Sequence, residues 1–382
     1  MKTDIIIVSP DFHIDSSMTG IGRRLWEMAV TLAKVYHLNV TIFLSGKTDL
    51  KCEKIRFEIY HKDRANLLVR SGNIFLVTYG CDSLILDILK ENGKKLVFDA
   101  LTTPLEILDY QKTLQLETVK ARGRVFGEHM ARYKKLLIAS DYILVGSLEE
   151  KAFMIGELLM LGCITPANYR EFSQKIDIVP VGFNSVSGKV GRRRKNGNMF
   201  VWNGGIWNHY RLDNLLAAFE KLHKRDPLVR LNFMYRSRTD NFKKVESFAS
   251  REDPCVIMPD NKTNYFNRAE ILSSAKGIVL MANDTLESYT SLRIRLKDMF
   301  VYDLPIIVSR FGLLGKFVQA HRVGLVVDND IHSIEKAVRI FTGNPVVYEE
   351  FKKNIRRLRK DFFYRNTLKA FVHYIKRVNH NS

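Results

Sequence analysis

Short continuous apolar runs alternate along this chain with longer stretches in which apolar residues recur every three or four positions. The first run, Ile5 to Ser9, stops at Pro10 and reads as a parallel strand buried on both faces, since such a strand has no solvent side. Beyond a polar loop, Ile21, Leu25, Met28, Ala29, Leu32 and Tyr36 mark one face of a helix. Val40 to Leu44, Ile74 to Thr78, Leu96 to Phe98, Tyr142 to Val145 and Ile176 to Val179 read as further strands, and Leu84 to Lys90 and Gly127 to Ile138 as helices. Strands that alternate with helices predict βαβ units on a parallel sheet.

The periodicity stops between Gly182 and Asn198, where Phe183 to Gly188 lead into the basic cluster Arg192, Arg193, Arg194 and Lys195. A polar stretch without period between two patterned halves reads as a linker. The alternation then restarts with strands at Met199 to Trp202, Leu231 to Tyr235, Gly277 to Met281 and Ile306 to Ser309, and a helix from Leu212 to His223. A basic helical stretch follows from Tyr348 to about Val378, with Phe351, Ile355, Leu358 and Phe362, then Leu368, Val372 and Ile375, at helical spacing. The fold class is therefore α/β, with two Rossmann-like doubly wound domains facing a cleft. The expected divisions are an N-terminal domain over 1–183, a linker over 184–198, a C-terminal domain over 199–360 and a basic helix or tail over 361–382.

A length of 382 residues suits two such cores. No run approaches the ~20 apolar residues of a spanning helix, and the run Ile5 to Val8 is too short for the apolar core of a signal peptide. A cytoplasmic location is expected. Cys52, Cys81, Cys163 and Cys255 are scattered, with no C-x-x-C pair and no histidine at metal-ligand spacing, as for reduced structural thiols. The formal charge of +19 favours anionic partners: nucleotides, an anionic membrane surface, or nucleic acid.

Two glycine turns sit where a strand meets a helix, one in each half. Thr19, Gly20, Ile21 and Gly22 lead into the helix of Arg23, and Asn203, Gly204, Gly205, Ile206 and Trp207 precede the Leu212 helix. Amides at a helix N-terminus attract anions, and glycine lets a ligand approach the backbone closely. A tight turn also needs glycine with no ligand at all, and Leu25 stands where a dinucleotide fingerprint would place its third glycine. The second constellation is Glu287, Arg293, Arg295 and Asp298 ahead of Pro305. Carboxylates suit vicinal hydroxyls and arginines suit diphosphate through their fork of donors; the same charges also suit a solvated helix face.

These segments together resemble the GT-B glycosyltransferases of the group-1, family 4 type. "MTGIGRRLWEMAVTLAKVYHLNVTIF" is similar to the family's N-terminal glycine loop and helix, and "ASDYILVGSLEEKAF" and "IDIVPVGFN" to the end of its first domain. "MFVWNGGIWNHYRLDNLLAAFEKL" resembles the opening of the donor domain, and "ESYTSLRIRLKDMFVYDLPIIVS" followed by "GLVVDND" its donor-binding segment. The resemblance implies an acceptor-side N-terminal domain, a donor-side C-terminal domain and a last helix crossing between them. It implies glycosyl transfer from a nucleotide sugar, with retention and with no metal or other cofactor. Glu287 falls at the first position of the family's paired acids, near the donor sugar, and Asp298, seven residues before Pro305, at the second, which holds ribose hydroxyls. Here the two acids stand farther apart than usual, and the second is Asp. The family's Arg and Lys in the first donor-domain loop are replaced by Asn203 or Gly204 and by Tyr210 or Arg211, so the charge facing the diphosphate falls to Arg211, Arg293 or Arg295.

Glu287, Arg293 and Arg211 are accordingly the catalytic candidates, and Gly20, Gly22, Asn203, Gly204, Gly205, Arg295 and Asp298 the donor-binding ones. His13, Asp15, Asp99 and Glu106 are candidates on the acceptor side. The basic tail, with an apolar face between its charges, suits an anionic membrane at the inner face, where lipid-linked acceptors lie; it equally suits packing on the domains. Two alternatives stand beside transfer to a glycan, lipid-linked or small-molecule acceptor: a transferase acting on nucleic acid, although no nucleic-acid-binding signature is present, and a non-catalytic binding subunit of the same fold. The oligomeric state is not encoded in these motifs.

Overall fold

The computed structural model describes residues 3–61, 65–108, 116–184, 197–207, 210–237, 239–259 and 263–380. The bulk of the expected linker, 185–196 with Arg192, Arg193, Arg194 and Lys195, lies outside the described residues. The chain divides into two compact units, one formed by Met1–Ser185 with Phe362–Ser382 and the other by Val186–Asp361.

In the first unit the order is β1 (Ile5–Ser9), α1 (Gly20–Lys34), β2 (Val40–Leu44), β3 (Ile55–Ile59), α2 (Ala65–Arg70), β4 (Ile74–Thr78), α3 (Ser83–Glu91), β5 (Lys95–Asp99) and α4 (Pro104–Leu108). Then come α5 (Val119–Ala139), β6 (Tyr142–Val145), α6 (Leu148–Met160), α7 (Tyr169–Gln174) and β7 (Ile176–Ile178). The seven strands are all parallel, in the order β3-β2-β1-β4-β5-β6-β7. Every residue of β1, β2, β4 and β6 is buried, which is why these strands read as unbroken apolar runs. Helix α5 begins two turns earlier than the apolar spacing predicts, because Thr118 caps it by accepting from the Ala121 amide, while only Tyr133, Leu136 and Leu137 of its length are buried.

The second unit runs β8 (Asn198–Trp202), α8 (Asp213–Arg225), β9 (Val229–Phe233), α9 (Asp240–Ala249), β10 (Val256–Ile257), α10 (Arg268–Ser274) and β11 (Gly277–Leu280). Two short 3-10 turns, Leu286–Tyr289 and Ile294–Leu296, lead to α11 (Lys297–Tyr302), β12 (Ile306–Ser309), α12 (Gly312–His321), β13 (Gly324–Val327), α13 (Ile331–Gly343) and α14 (Pro345–Leu358). Its six strands are parallel, in the order β10-β9-β8-β11-β12-β13.

The expected single helix from Tyr348 to Val378 is broken. After α14 the chain forms a 3-10 turn (Arg359–Phe362), then α15 (Tyr364–Thr367) and α16 (Lys369–His380). The break is set by β-type pairing: the Phe183 amide donates to the Phe362 carbonyl at 3.1 Å and the Tyr364 amide to the Phe183 carbonyl at 3.1 Å. An added Cβ at Gly182 would sit 2.8 Å from the Phe362 carbonyl and the Tyr364 ring, so only glycine fits there. The apolar face of α16 is occupied, with Phe371, Val372, Tyr374 and Ile375 buried and Tyr142 stacked on Tyr374 at 4.3 Å and on Phe371 at 5.9 Å. That face is therefore spent on the protein's own core. Among the described residues no helix is long and apolar enough to cross a membrane.

Candidate functional site

In a doubly wound sheet, ligands bind beyond the carboxyl ends of the strands where the strand order reverses. In the second unit that place lies between β8 and β11. The turn after β8 is Asn203, Gly204 and Gly205, and the chain leaving β11 pairs back to it through a bridge between Tyr210 and Ala282. The segment from Glu287 to Asp298 folds against this turn.

Arg295 lies across the glycines. A Cβ on Gly204 would stand 2.3 Å from its Cζ and 2.6 Å from Nε and Nη2, so the guanidinium keeps its present place only while position 204 has no side chain. Arg295 Nη2 donates to Tyr210 Oη at 3.0 Å and to the Gly205 carbonyl at 3.3 Å. Its plane faces the rings of Tyr210 at 5.1 Å and Trp202 at 5.5 Å, both within cation–π range. Some of the residue stays accessible, but Nη1 is sealed from solvent and has no hydrogen-bond partner among the described residues. Desolvation lowers the pKa of Arg295, with the Tyr210 phenol opposing and Arg293 reinforcing the shift. The unused donor leaves this guanidinium incompletely satisfied at the place where such sheets bind their ligands.

Arg293 adjoins it. Its Nη2 pairs with Glu287 Oε2 at 2.8 Å, and its Nη1 reaches Tyr210 Oη at 3.5 Å, the limit of a hydrogen bond. The backbone of Arg293 stands at φ 61° and ψ 126°, a region that only glycine visits cheaply. Such strain costs about 1–3 kcal/mol and persists only where surrounding contacts over-determine the conformation. Glu287, on the first 3-10 turn, is 8% exposed. Beneath Arg293 lies a cavity of about 10 Å³ bordered by Ser288, Ser291 and Ser309, roughly the space of one water. Arg211 is exposed, its Nε donating to Asn283 Oδ1 at 2.6 Å beside the β11 end.

Asp298 differs from what a ribose-holding acid requires. It is 0% exposed and binds Arg268 through two hydrogen bonds, Nη1 to Oδ1 at 2.8 Å and Nη2 to Oδ2 at 2.5 Å. Asn203 Nδ2 donates to the same Oδ2 at 2.7 Å and to the Arg295 carbonyl at 2.9 Å. Burial alone would depress the Arg268 pKa, but Asp298 more than offsets it and holds it well above the ordinary value. The carboxylate is thus consumed inside the protein, where it ties Asn203 and Arg268 together. Arg268 and Tyr235, which donates no charge but accepts from Arg268 Nε at 3.0 Å, escaped the sequence reading because they lie on other elements.

The remaining candidates lie in the first unit. Gly22 is forced by packing, since a Cβ there would meet the His13 carbonyl at 2.2 Å; Gly20 opens α1. Asp99, 2% exposed, accepts from Arg24 Nε at 2.9 Å and Nη2 at 2.9 Å, while Arg24 also donates to the carbonyls of Val179 and Pro180. That pairing makes Asp99 a clasp between β5, α1 and the chain just past β7. Asp15 folds back on Ser17 through Oδ1, accepting from its amide and hydroxyl. His13 is exposed and Glu106 half-buried on α4. The structure therefore gathers Asn203, Gly204, Gly205, Arg211, Glu287, Arg293, Arg295 and Asp298 in one unit and leaves Gly20, Gly22, His13, Asp15, Asp99 and Glu106 in the other. Among the described residues no group of three or more His, Cys, Asp or Glu side chains could hold a metal ion.

No family model and no curated protein matches this chain in sequence. Solved structures do match in fold. Sucrose-phosphate synthase from Thermosynechococcus elongatus superposes with a TM-score of 0.68 at 14% identity, over 99% of this chain and 98% of that one. A glycosyltransferase from Rickettsia africae ESF-5 gives 0.65 at 13% identity over 100% of both chains. The Anabaena protein HepE in complex with UDP-glucose gives 0.63 at 10% identity over 99% of both. A Listeria monocytogenes protein described as a UDP-N-acetylglucosamine 2-epimerase shares the fold at 0.58 and 10% identity, over 99% of this chain and 97% of that one. The chain has the GT-B fold, and at these identities the likeness is one of fold.

Proposed function

We propose that the chain is a glycosyltransferase that takes a sugar from a nucleotide-sugar donor held by its second unit. The observation that carries the reading is Arg295, placed by Gly204 at the strand-order reversal with a shielded, unused donor, beside the strained Arg293. In such a transfer the bond from the anomeric carbon to the diphosphate oxygen breaks, an acceptor oxygen takes its place, and the acceptor hydroxyl loses its proton. Negative charge grows on the departing diphosphate, and cations positioned before the reaction stabilise it most. Arg293 and Arg295 supply that charge, with Arg211 at the rim. Glu287 Oε2 is held by Arg293, which aims the carboxylate so that its other oxygen can accept from sugar hydroxyls. Asp298 is a positioning residue that fixes Asn203 and, through it, the backbone of Arg295. Retention at the anomeric carbon and operation without a metal accompany this reading. HepE bound to UDP-glucose makes a UDP-sugar the first donor to try.

Thermal shift against UDP-, GDP-, ADP- and TDP-sugars tests binding, because a ligand of the folded state stabilises it by RT ln(1 + [L]/Kd). One donor should stand apart, release its nucleoside diphosphate on turnover, and lose about 100-fold in rate with Glu287→Gln. No stabilisation by any donor would overturn the proposal. Binding without turnover in the presence of candidate acceptors would favour a non-catalytic subunit, the reading that the missing Arg/Lys pair and the sealed Asp298 support. Epimerised donor in place of released diphosphate would give the site a different chemistry.

A further inference from the structure

Helix α6 buries one apolar face and leaves further aliphatic side chains exposed on its outer side, beside the exposed Glu149. Met154 and Leu158 are fully buried, while Leu148, Ala152, Gly156 and Met160 form an outer stripe at four-residue spacing with Leu159 beside it. Leu148 is 68% exposed, Leu159 56% and Met160 86%. Bulky aliphatics concentrated on one exposed face mark an interaction surface. Helix α5 packs beside it, with Tyr133 Oη donating to Glu157 Oε2 at 2.8 Å and resting on Met154 Sδ at 3.7 Å. The outward residues of α5 include Lys120, Arg124, Ala131, Lys134 and Ile138, all exposed, and the helix carries six basic residues against one acidic.

We propose that the adjoining outer faces of α5 and α6 form a docking surface for an anionic lipid bilayer. The aliphatic stripe enters the headgroup boundary while the α5 cations meet lipid phosphates. Charge complementarity selects this occupant. A symmetric pair of chains would bring two strongly basic α5 helices into one interface, and nucleic acid would leave the aliphatic stripe unused, since stacking requires aromatic platforms. The proposal is independent of the donor chemistry, because vesicle binding needs no turnover.

Sedimentation of the full chain with phosphatidylcholine vesicles, with and without phosphatidylglycerol, tests it. The chain should partition onto the anionic vesicles alone. Lys120→Gln/Arg124→Gln/Lys134→Gln should lower the partition coefficient by about 100-fold, roughly fivefold per charge near the surface. Leu148→Ser/Leu159→Ser/Met160→Ser should lower it at least about tenfold, since each aliphatic chain loses its transfer from water. All six positions are exposed, so unchanged thermal melts should accompany both losses. Hydrogen exchange on the unmodified chain supplies a readout free of variants, with anionic vesicles protecting 119–139 and 148–160. Equal partition onto both vesicle types, protection elsewhere, or an aliphatic variant that binds like the parent would overturn the proposal. A concentration-dependent dimer abolished by the aliphatic variant would assign the face to a second copy, and duplex binding that competes with vesicles would assign it to nucleic acid.

Discussion

Replacing Gly204 by alanine adds one methyl group at the point where Arg295 is most confined. The new carbon would lie 2.3 Å from Cζ, whereas ordinary contact begins near 3.4 Å, so the guanidinium must retreat by about 1.1 Å (3.4 minus 2.3). A shift of that size breaks the Nη2 bonds to Tyr210 Oη and the Gly205 carbonyl, now 3.0 and 3.3 Å. Hydrogen bonds from a charged donor contribute about 1.5–3 kcal/mol each, and a misplaced donor at a site of growing charge costs about 2.7–4 kcal/mol of barrier. The expected loss in kcat/KM is therefore about 100-fold or more, read as nucleoside diphosphate released from the donor that thermal shift selects. Gly205→Ala is the steric comparison: its Cβ would meet the Trp207 ring at 3.0 Å, and that indole, 43% exposed, can swing outward, so its loss should be only severalfold. The reasoning is tested most sharply on an Arg295→Ala background, where Gly204→Ala should add little because the group it displaces is gone. Full activity in Gly204→Ala, or an undiminished further loss on that background, would refute it.

Two more predictions concern buried acids. Asp298→Ala strands the Arg268 charge in the interior, at a cost of about 3–5 kcal/mol, so a lowered Tm should be its main signature; Asp298→Asn, which keeps acceptor and shape, should restore part of the stability, and a selective fall in kcat with an unchanged melt would contradict the positioning role. Glu157 has its pKa pushed from 4.5 up to about 7 by desolvation, against the opposing hydrogen bond from Tyr133. Its folded form holds a proton that the unfolded chain releases, so the group costs nothing below about pH 4.5, destabilises progressively between about pH 4.5 and about pH 7, and stays at that cost above. The rise corresponds to about 3 kcal/mol, which partial exposure trims to about 1–2 kcal/mol; Glu157→Gln should therefore raise Tm at pH 8 and leave it unchanged at pH 4, and equal effects at both would exclude the mechanism.

The central strands were legible in the sequence because each is buried on both faces and so becomes an apolar run: β1, β2, β4, β6, β8 and β12 fall within a residue of their expected spans. Edge strand β3 was missed because half its side chains face solvent, and β10 because two residues carry no pattern. Helix α6 was lost for the opposite reason, being apolar on faces that do not share one environment. The motifs brought Asn203, Gly204, Gly205, Glu287, Arg293, Arg295 and Asp298 forward as candidates, but sequence could not say which were spent internally. Asp298 and Asp99 are ordinary acids on paper; Arg268, 30 positions away, and Arg24, 75 positions away, decide their fate, and nothing local announces such partners.

The parallel bridge between Phe183 and Phe363 has a consequence for synthesis on the ribosome. The second unit is one uninterrupted stretch and can close as soon as it emerges. The first unit cannot: until Phe362–His380 is made, Tyr142 lacks its stacking partners, Phe183 lacks Phe362 and Tyr364, and Gly182 has no ring above it. The part of the chain translated first is therefore the last to be completed, and a chain stopped after α14 would carry a finished second unit beside an open, aggregation-prone first one.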